Sequence, residues 1–167
     1  MKKILILLPV FIFSLSFSQG KLYIQNYSNY DLVMRVIAGN TNNCLPEVVT
    51  SMNFPANTQD VIDNFNDSLP YANNWSVRLS PTGNPLSQTV PSGLLTTVSN
   101  LTRWKFIWFR TMYPGTTNST PDVDFNMADP SAFAACPLSG SDFIDGSLTD
   151  AYWFYIASEN ATYLIIQ

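Results

Sequence analysis

The residues best spaced for chemistry are Asp122, Asp124 and Asn126, in the run D-V-D-F-N-M-A-D from residue 122 to 129. Oxygen-bearing side chains at alternate positions are how a calcium loop begins, because successive ligands must wrap one small cation. An EF-hand also needs glycine at its sixth position and a bidentate glutamate at its twelfth, where this chain has Phe133. The run is therefore read as a solvated loop leading into a helix cap, and no metal site is assigned. The sharper alternative is an irregular calcium site on Asp122, Asp124 and Asn126, completed by Asp142 or Asp145. Calcium is the only cofactor that any pattern in the chain suggests.

Histidine is missing from all 167 residues. Its absence excludes a Ser-His-Asp or Cys-His apparatus built from this chain, and the common His-ligated zinc sites with it. What remains for catalysis is a pair of carboxylates of the kind glycoside hydrolases use. The only glutamates are Glu47 and Glu159, neither in a distinctive setting, and the aspartates fall in turns, where Asp is favoured for its backbone hydrogen bonds. No catalytic residue is assigned, and a small carboxylate-dependent glycoside hydrolase stays the least favoured function.

Aromatic residues make up 14% of the chain, enough to ask whether some of them bind a ligand. A pyranose packs its C–H groups on an open ring face, so exposed aromatics aligned on one sheet face would form a sugar platform. Trp75, Trp104, Trp108 and Trp153 all fall within predicted strands and read as core. Tyr27, Tyr30, Tyr71 and Tyr113 fall in loops and are the better ligand-binding candidates. Asp67-Ser68-Leu69 resembles an acidic-Ser-aliphatic sequon that is O-glycosylated in some exported Gram-negative proteins; an ordinary turn is the competing reading.

These residues sit in a chain that opens with a secretory leader. Lys2 and Lys3 precede an apolar run over 4–13, and Ser16 and Ser18 offer the small residues a signal peptidase reads. Residues 1–18 are expected to be removed, leaving 19–167 as one domain that is periplasmic, cell-surface or extracellular. The style of the leader resembles that of Gram-negative bacteria. No later segment is long and apolar enough to span a membrane as a helix. Without Lys2 and Lys3, six basic side chains face twelve acidic ones, a net charge near −6. Nucleic acid is a poor partner for such a surface, because binding it depends on Lys and Arg displacing counterions. In an oxidising compartment the two cysteines, Cys44 and Cys136, are expected to form one disulfide.

The elements that must position all this are strands. Trp75, Val77 and Leu79 alternate with polar residues, and Lys21–Gln25 and Leu32–Ala38 read as a hairpin pair. The stretch R-W-K-F-I-W-F-R over 103–110 is apolar on both faces, the mark of a central strand covered on both sides. Residues 94–100 read as a short Thr-rich strand, and 142–150 as a loop. Asp129 as N-cap with Pro130 at the first helical position marks the best helical candidate. Eight to ten short strands with frequent turn signals predict an all-β chain, a single-domain antiparallel β-sandwich of jelly-roll or Ig-like type.

The function expected of such a chain is a secreted or surface-associated, non-enzymatic β-sandwich that binds a protein or polymer through its loops. A carbohydrate-binding module, with or without calcium, is the alternative. A sheet face of aligned, exposed aromatics would favour the carbohydrate module, and a cleft with two facing carboxylates the hydrolase.

Overall fold

Alternating burial builds two sheets in the computed structural model, which describes residues 19–167; the predicted leader at 1–18 lies outside the described residues. The strands are β1 (Lys21–Asn26), β2 (Asp31–Gly39), β3 (Glu47–Phe54), β4 (Thr58–Ile62), β5 (Asn74–Arg78), β6 (Leu86–Thr89), β7 (Arg103–Met112), β8 (Phe125–Ala128), β9 (Phe143–Asp145), β10 (Asp150–Ile156) and β11 (Ala161–Ile166). One sheet runs β4-β1-β11-β10-β9 and the other β6-β5-β3-β2-β7-β8. The chain is an all-β sandwich, as its periodicity predicts. Strand pairing is antiparallel except between β1 and β11, which run parallel, so the sandwich is not wholly antiparallel.

Both sheets feed one hydrophobic core. Leu22, Ile24, Trp153, Leu164 and Ile166 enter from the five-stranded sheet, and Met34, Val36, Val48, Trp75, Ile107 and Phe109 from the other. At its centre Phe65, from the 3-10 turn Phe65–Asp67, lies 4.8 Å from the Trp75 ring and 5.5 Å from that of Trp104. Ser68 closes that turn. Its hydroxyl donates to Ala72 O at 2.8 Å and accepts from the Trp75 indole N–H at 3.0 Å. Because Ser68 is fully buried, the 67–69 run acts in the folded protein as a turn, with its hydroxyl closed to modification.

The stretch over 103–110 departs from simple alternation. Ile37 faces Phe106 but Ala38 faces Trp104, so Lys105 is the extra residue of a bulge. The bulge turns Trp104 inward beside Ile107 and Phe109 and leaves Phe106 and Trp108 half-buried on the outer face. β7 is thus an interior strand, paired to β2 and β8, but only its inner face is covered. Lys105 itself is buried and pairs with Glu47 at 3.2 Å. Gly39 makes room for it: a Cβ there would meet the Lys105 stem at 3.3 Å.

Three local expectations are corrected. Lys21–Gln25 and Leu32–Ala38 do not form a hairpin: β1 pairs with β4 and β11 in one sheet and β2 with β3 and β7 in the other, so the turn between them crosses the sandwich. Residues 94–100 lie mostly in α1 (Gly93–Ser99), a helix capped by the Ser92 side chain on the N–H of Leu94. Leu95 and Val98 sit three apart and share its buried face, a helical spacing that outweighs the β preference of the threonines. Within the 142–150 loop, Phe143–Asp145 forms β9, which pairs with β10. The Asp129-Pro130 cap does open a 3-10 helix, Pro130–Phe133, with the Asp129 carboxylate accepting from the N–H of Ser131 at 3.0 Å.

Cys44 and Cys136 form a disulfide, with 5.5 Å between their Cα atoms. It joins the β2–β3 loop to the connection that carries the chain from β8 in one sheet to β9 in the other. Such a bond is compatible with an oxidising, exported location.

Candidate functional site

The acidic run is occupied with structural work. Asp122 is 4% exposed. One of its oxygens accepts from the N–H of Ser147 at 2.7 Å, and the other from the N–H groups of Leu148 and Thr149 at 2.9 and 3.0 Å and from the Thr149 hydroxyl at 3.0 Å. The carboxylate thereby organises the turn before β10. Gly146 is required beside it, since a Cβ there would come within 2.4 Å of Thr149 O and 2.6 Å of the Phe125 ring. Burial pushes the Asp122 carboxyl up, but the three backbone donors and the Thr149 hydroxyl outweigh it and hold it below the usual carboxylate range.

Asp124 accepts from the Trp108 indole N–H at 2.7 Å and from the Asn126 amide at 2.9 Å. Asp122, Asp124 and Asp145 border one shallow recess, but Asp142 does not, and the Asn126 amide is turned to Asp124. Among the described residues no three acidic, Cys or His side chains come together as a metal-ligating group. Glu47, on β3, and Glu159, in the turn between β10 and β11, have separate partners, Lys105 and the Tyr163 hydroxyl.

A test of the Asp122 role follows from its protonation. A group held below its unfolded pKa stabilises the fold fully above that value, about 3.9 for Asp, and loses its contribution as pH falls through the folded value. Asp122→Ala strands four donors, the two on Thr149 buried, and should cost about 1–3 kcal/mol at neutral pH. In urea titrations the gap between wild type and variant should shrink between about pH 5 and about pH 2. A gap independent of pH would contradict the role.

The four loop tyrosines do not form one site. Tyr71 packs against Phe54 at 4.6 Å and donates to Asp60 at 2.7 Å. Burial, the hydrogen bond and the Asp60 charge push its phenol up to about 12. Tyr30 and Tyr113 meet edge to face at 5.9 Å. Tyr27 stands apart, beside Gln25 and Ile165 at the end of the five-stranded sheet. Of the tryptophans, Trp75, Trp104 and Trp153 are core as expected, whereas Trp108 is half-buried.

What the structure does assemble is an aromatic surface on the outer face of the five-stranded sheet. Register aligns Val61, Tyr23, Tyr163 and Phe154 in one row across β4, β1, β11 and β10. The adjacent row reads Gln59, Gln25, Ile165, Tyr152 and Phe143. The Tyr23 and Tyr163 rings are 4.7 Å apart and 6° from parallel, and Phe154 lies 5.2 Å from Tyr163 at 8°. The stack therefore covers both faces of Tyr163 and turns ring edges outward. Phe154 at its end is 39% exposed, and Phe143, packed on Tyr152 at 4.9 Å, is 43% exposed. The Tyr163 phenol is pushed up to about 12 by its hydrogen bond to Glu159, with burial and the Glu159 charge adding to it.

Tyr23 is legible in the sequence as an aromatic on the polar side of β1, but Phe154 lies in A-Y-W-F-Y-I-A, where apolar residues fall on both faces, and Phe143 lies in the segment read as a loop. Compared with known proteins, the chain matches no family model, no curated protein and no solved structure.

Proposed function

We propose that the protein is an exported, non-enzymatic binding module that holds a polymer on the outer face of its five-stranded sheet. The observation that carries this reading is the in-register ladder of Tyr23, Tyr163 and Phe154 with Tyr152 and Phe143 beside it. Large apolar side chains on an outward sheet face do nothing for the core, and such rings are the residues that contribute most to binding surfaces. Three inter-strand spacings make the platform about 14 Å wide. A rigid sheet also presents it without the ordering cost a loop would carry. The contacts are thus assigned to the sheet face and not to the loops.

A neutral polysaccharide suits the surface better than a protein does. The exposed edges of Phe154 and Phe143 give a sugar's apolar C–H groups a surface to lie against, and Gln25 and Gln59, on β1 and β4 of the same face, have amides for its hydroxyls. No calcium ion enters this reading.

The test is retardation of the folded protein in native gels cast with neutral soluble glucans, galactans and xylans. At least one should retard wild type. The Phe154→Ala/Tyr163→Ala pair should weaken that retention about tenfold or more, with the thermal midpoint little changed because cross-strand pairs contribute only about 0.2–1 kcal/mol each. Retention untouched by the double substitution, or none on any of the polymers, would remove the reading.

A further inference from the structure

The six basic side chains of the described residues are not spread evenly. Lys21 pairs with Asp63 at 3.2 Å, Lys105 pairs with Glu47 at 3.2 Å, and Arg103 lies over the Tyr155 ring at 3.8 Å. Among the described residues, Arg35, Arg78 and Arg110 have no carboxylate within 4.0 Å, and all three occupy outward positions of the six-stranded sheet. In a protein this acidic, the uncompensated cations have gathered on one face. Acids on the same sheet have other partners: Glu47, opposite Arg78, pairs with Lys105, Asp124 accepts from Trp108 and Asn126, and Asp31, in the cleft with Arg110, accepts from the N–H groups of Ala56 and Gly115.

That face also carries a cleft of about 410 Å³, between the outer side of β2, β3 and β7 and the turn after β7. Register sets Arg110, Val33 and Asn53 in one row along its floor, so Arg110 and Asn53 stand about 10 Å apart at the backbone. Arg110 lines this cleft, and its guanidinium has no hydrogen-bond or carboxylate partner among the described residues, the inner Nε included, so the outer nitrogens are not committed to the protein. The Asn53 amide and the Thr117 hydroxyl line the same cleft, and neither forms a side-chain hydrogen bond among the described residues. Val33 and Pro55 supply apolar surface between them. The walls are fixed by Asp31, whose carboxylate accepts from the N–H of Ala56 at 2.9 Å and from that of Gly115 at 3.0 Å.

We propose that this cleft binds a sugar acid, a hexuronate, with Arg110 holding the carboxylate and Asn53 and Thr117 meeting its hydroxyls. A guanidinium matches a carboxylate with a planar fork of donors. One unpaired arginine beside the fixed charge of Asp31 suits a monoanion better than a dianion such as phosphate. The apolar strip of Val33 and Pro55 suits a ring's C–H face, and the volume admits one sugar unit but not a folded peptide segment. The site lies on the opposite sheet from the aromatic ladder and does not depend on it.

Calorimetric titration with sodium galacturonate, trigalacturonate, galactose, inorganic phosphate and an acidic tetrapeptide tests the assignment. Galacturonate should bind at least about tenfold tighter than galactose, the margin of one charge-assisted contact. A further gain with trigalacturonate identifies a polymer as the source of the uronate, and equal affinity identifies the free acid. Arg110→Gln should abolish the preference over galactose, and Arg110→Lys, which keeps the charge but not the fork, should retain part of it. If Arg110→Gln fails to fold, Asn53→Ala should reduce uronate affinity several-fold from the other side of the cleft. Phosphate or the tetrapeptide binding as tightly as galacturonate, or Arg110→Gln binding like wild type, overturns the proposal. Phe154→Ala/Tyr163→Ala should leave this titration unchanged, which separates the two sites.

Discussion

Replacing both Cys44 and Cys136 by serine should lower the unfolding free energy by about 4–5 kcal/mol, the loop-closure entropy of a bridge across 92 residues. For a domain of this size that corresponds to a fall in the thermal midpoint of roughly 10–15 °C. The location of the bridge gives the loss a structural direction. β8 is a four-residue edge strand whose one strand neighbour is β7, and the segment after it is held by short contacts such as Met127 with Ser141. The disulfide fastens that segment to the β2–β3 loop, so hydrogen exchange in the reduced protein should accelerate over 125–145 before it does in β1 or β11. Urea denaturation of wild type and of the double variant measures the total. A loss under about 1 kcal/mol would mean that the unfolded chain is already constrained, since loop entropy acts through that state.

The disulfide is legible in the sequence because the expected compartment, not geometry, suggests it: an apolar N-terminal run read as a leader and an even cysteine count suffice. Strands such as Asn74–Arg78 are legible because one of their faces is wet, so period two shows directly in the residue types. Leu79, expected to continue the inward side of that strand, lies past its end and is 51% exposed. Where a helix is short, as at Gly93–Ser99, two buried positions three apart compete with threonines that favour strands, and local pattern cannot arbitrate between them. β8 is hidden for another reason. Its F-N-M-A run alternates over only four residues, within the spacing that also suits a cation loop.

The candidate site is less legible because long-range register makes it. Tyr23 and Tyr163 are neighbours only because β1 and β11 pair in parallel across nearly the whole length of the chain. In A-Y-W-F-Y-I-A, adjacent residues point to opposite faces, and nothing in composition says that Trp153 is the ring facing inward and Phe154 the one facing water. The acidic run, by contrast, displays its oxygens openly, but their hydrogen-bond donors come from 147–149, on a turn that only the fold brings beside Asp122. A visible ligand pattern thus resolves into a turn cap, while a concealed aromatic pattern becomes the surface.

Trp104→Ala should be among the most costly single substitutions, at about 3–5 kcal/mol, whereas Trp108→Ala, four residues along the same strand, should cost about 1 kcal/mol. Strict alternation would put both rings on one face and predict similar losses. The bulge at Lys105 separates them. Trp104 is 3% exposed, contacts Phe65 edge to face at 5.5 Å and Trp75 at 6.2 Å, and donates its indole N–H to Gly20 O at 3.0 Å. Its removal opens a cavity at the centre of the aromatic cluster and leaves that carbonyl without its indole donor. Trp108 is half-buried on the outer face, and losing it frees Asp124 to meet water in place of an indole N–H. Chemical denaturation of the two variants measures the difference directly. Near-UV circular dichroism should lose the coupled aromatic signal in Trp104→Ala alone, because only that ring packs within the Phe65–Trp75 cluster. Equal losses in the two variants would place both tryptophans on the same face and remove the bulge from the strand.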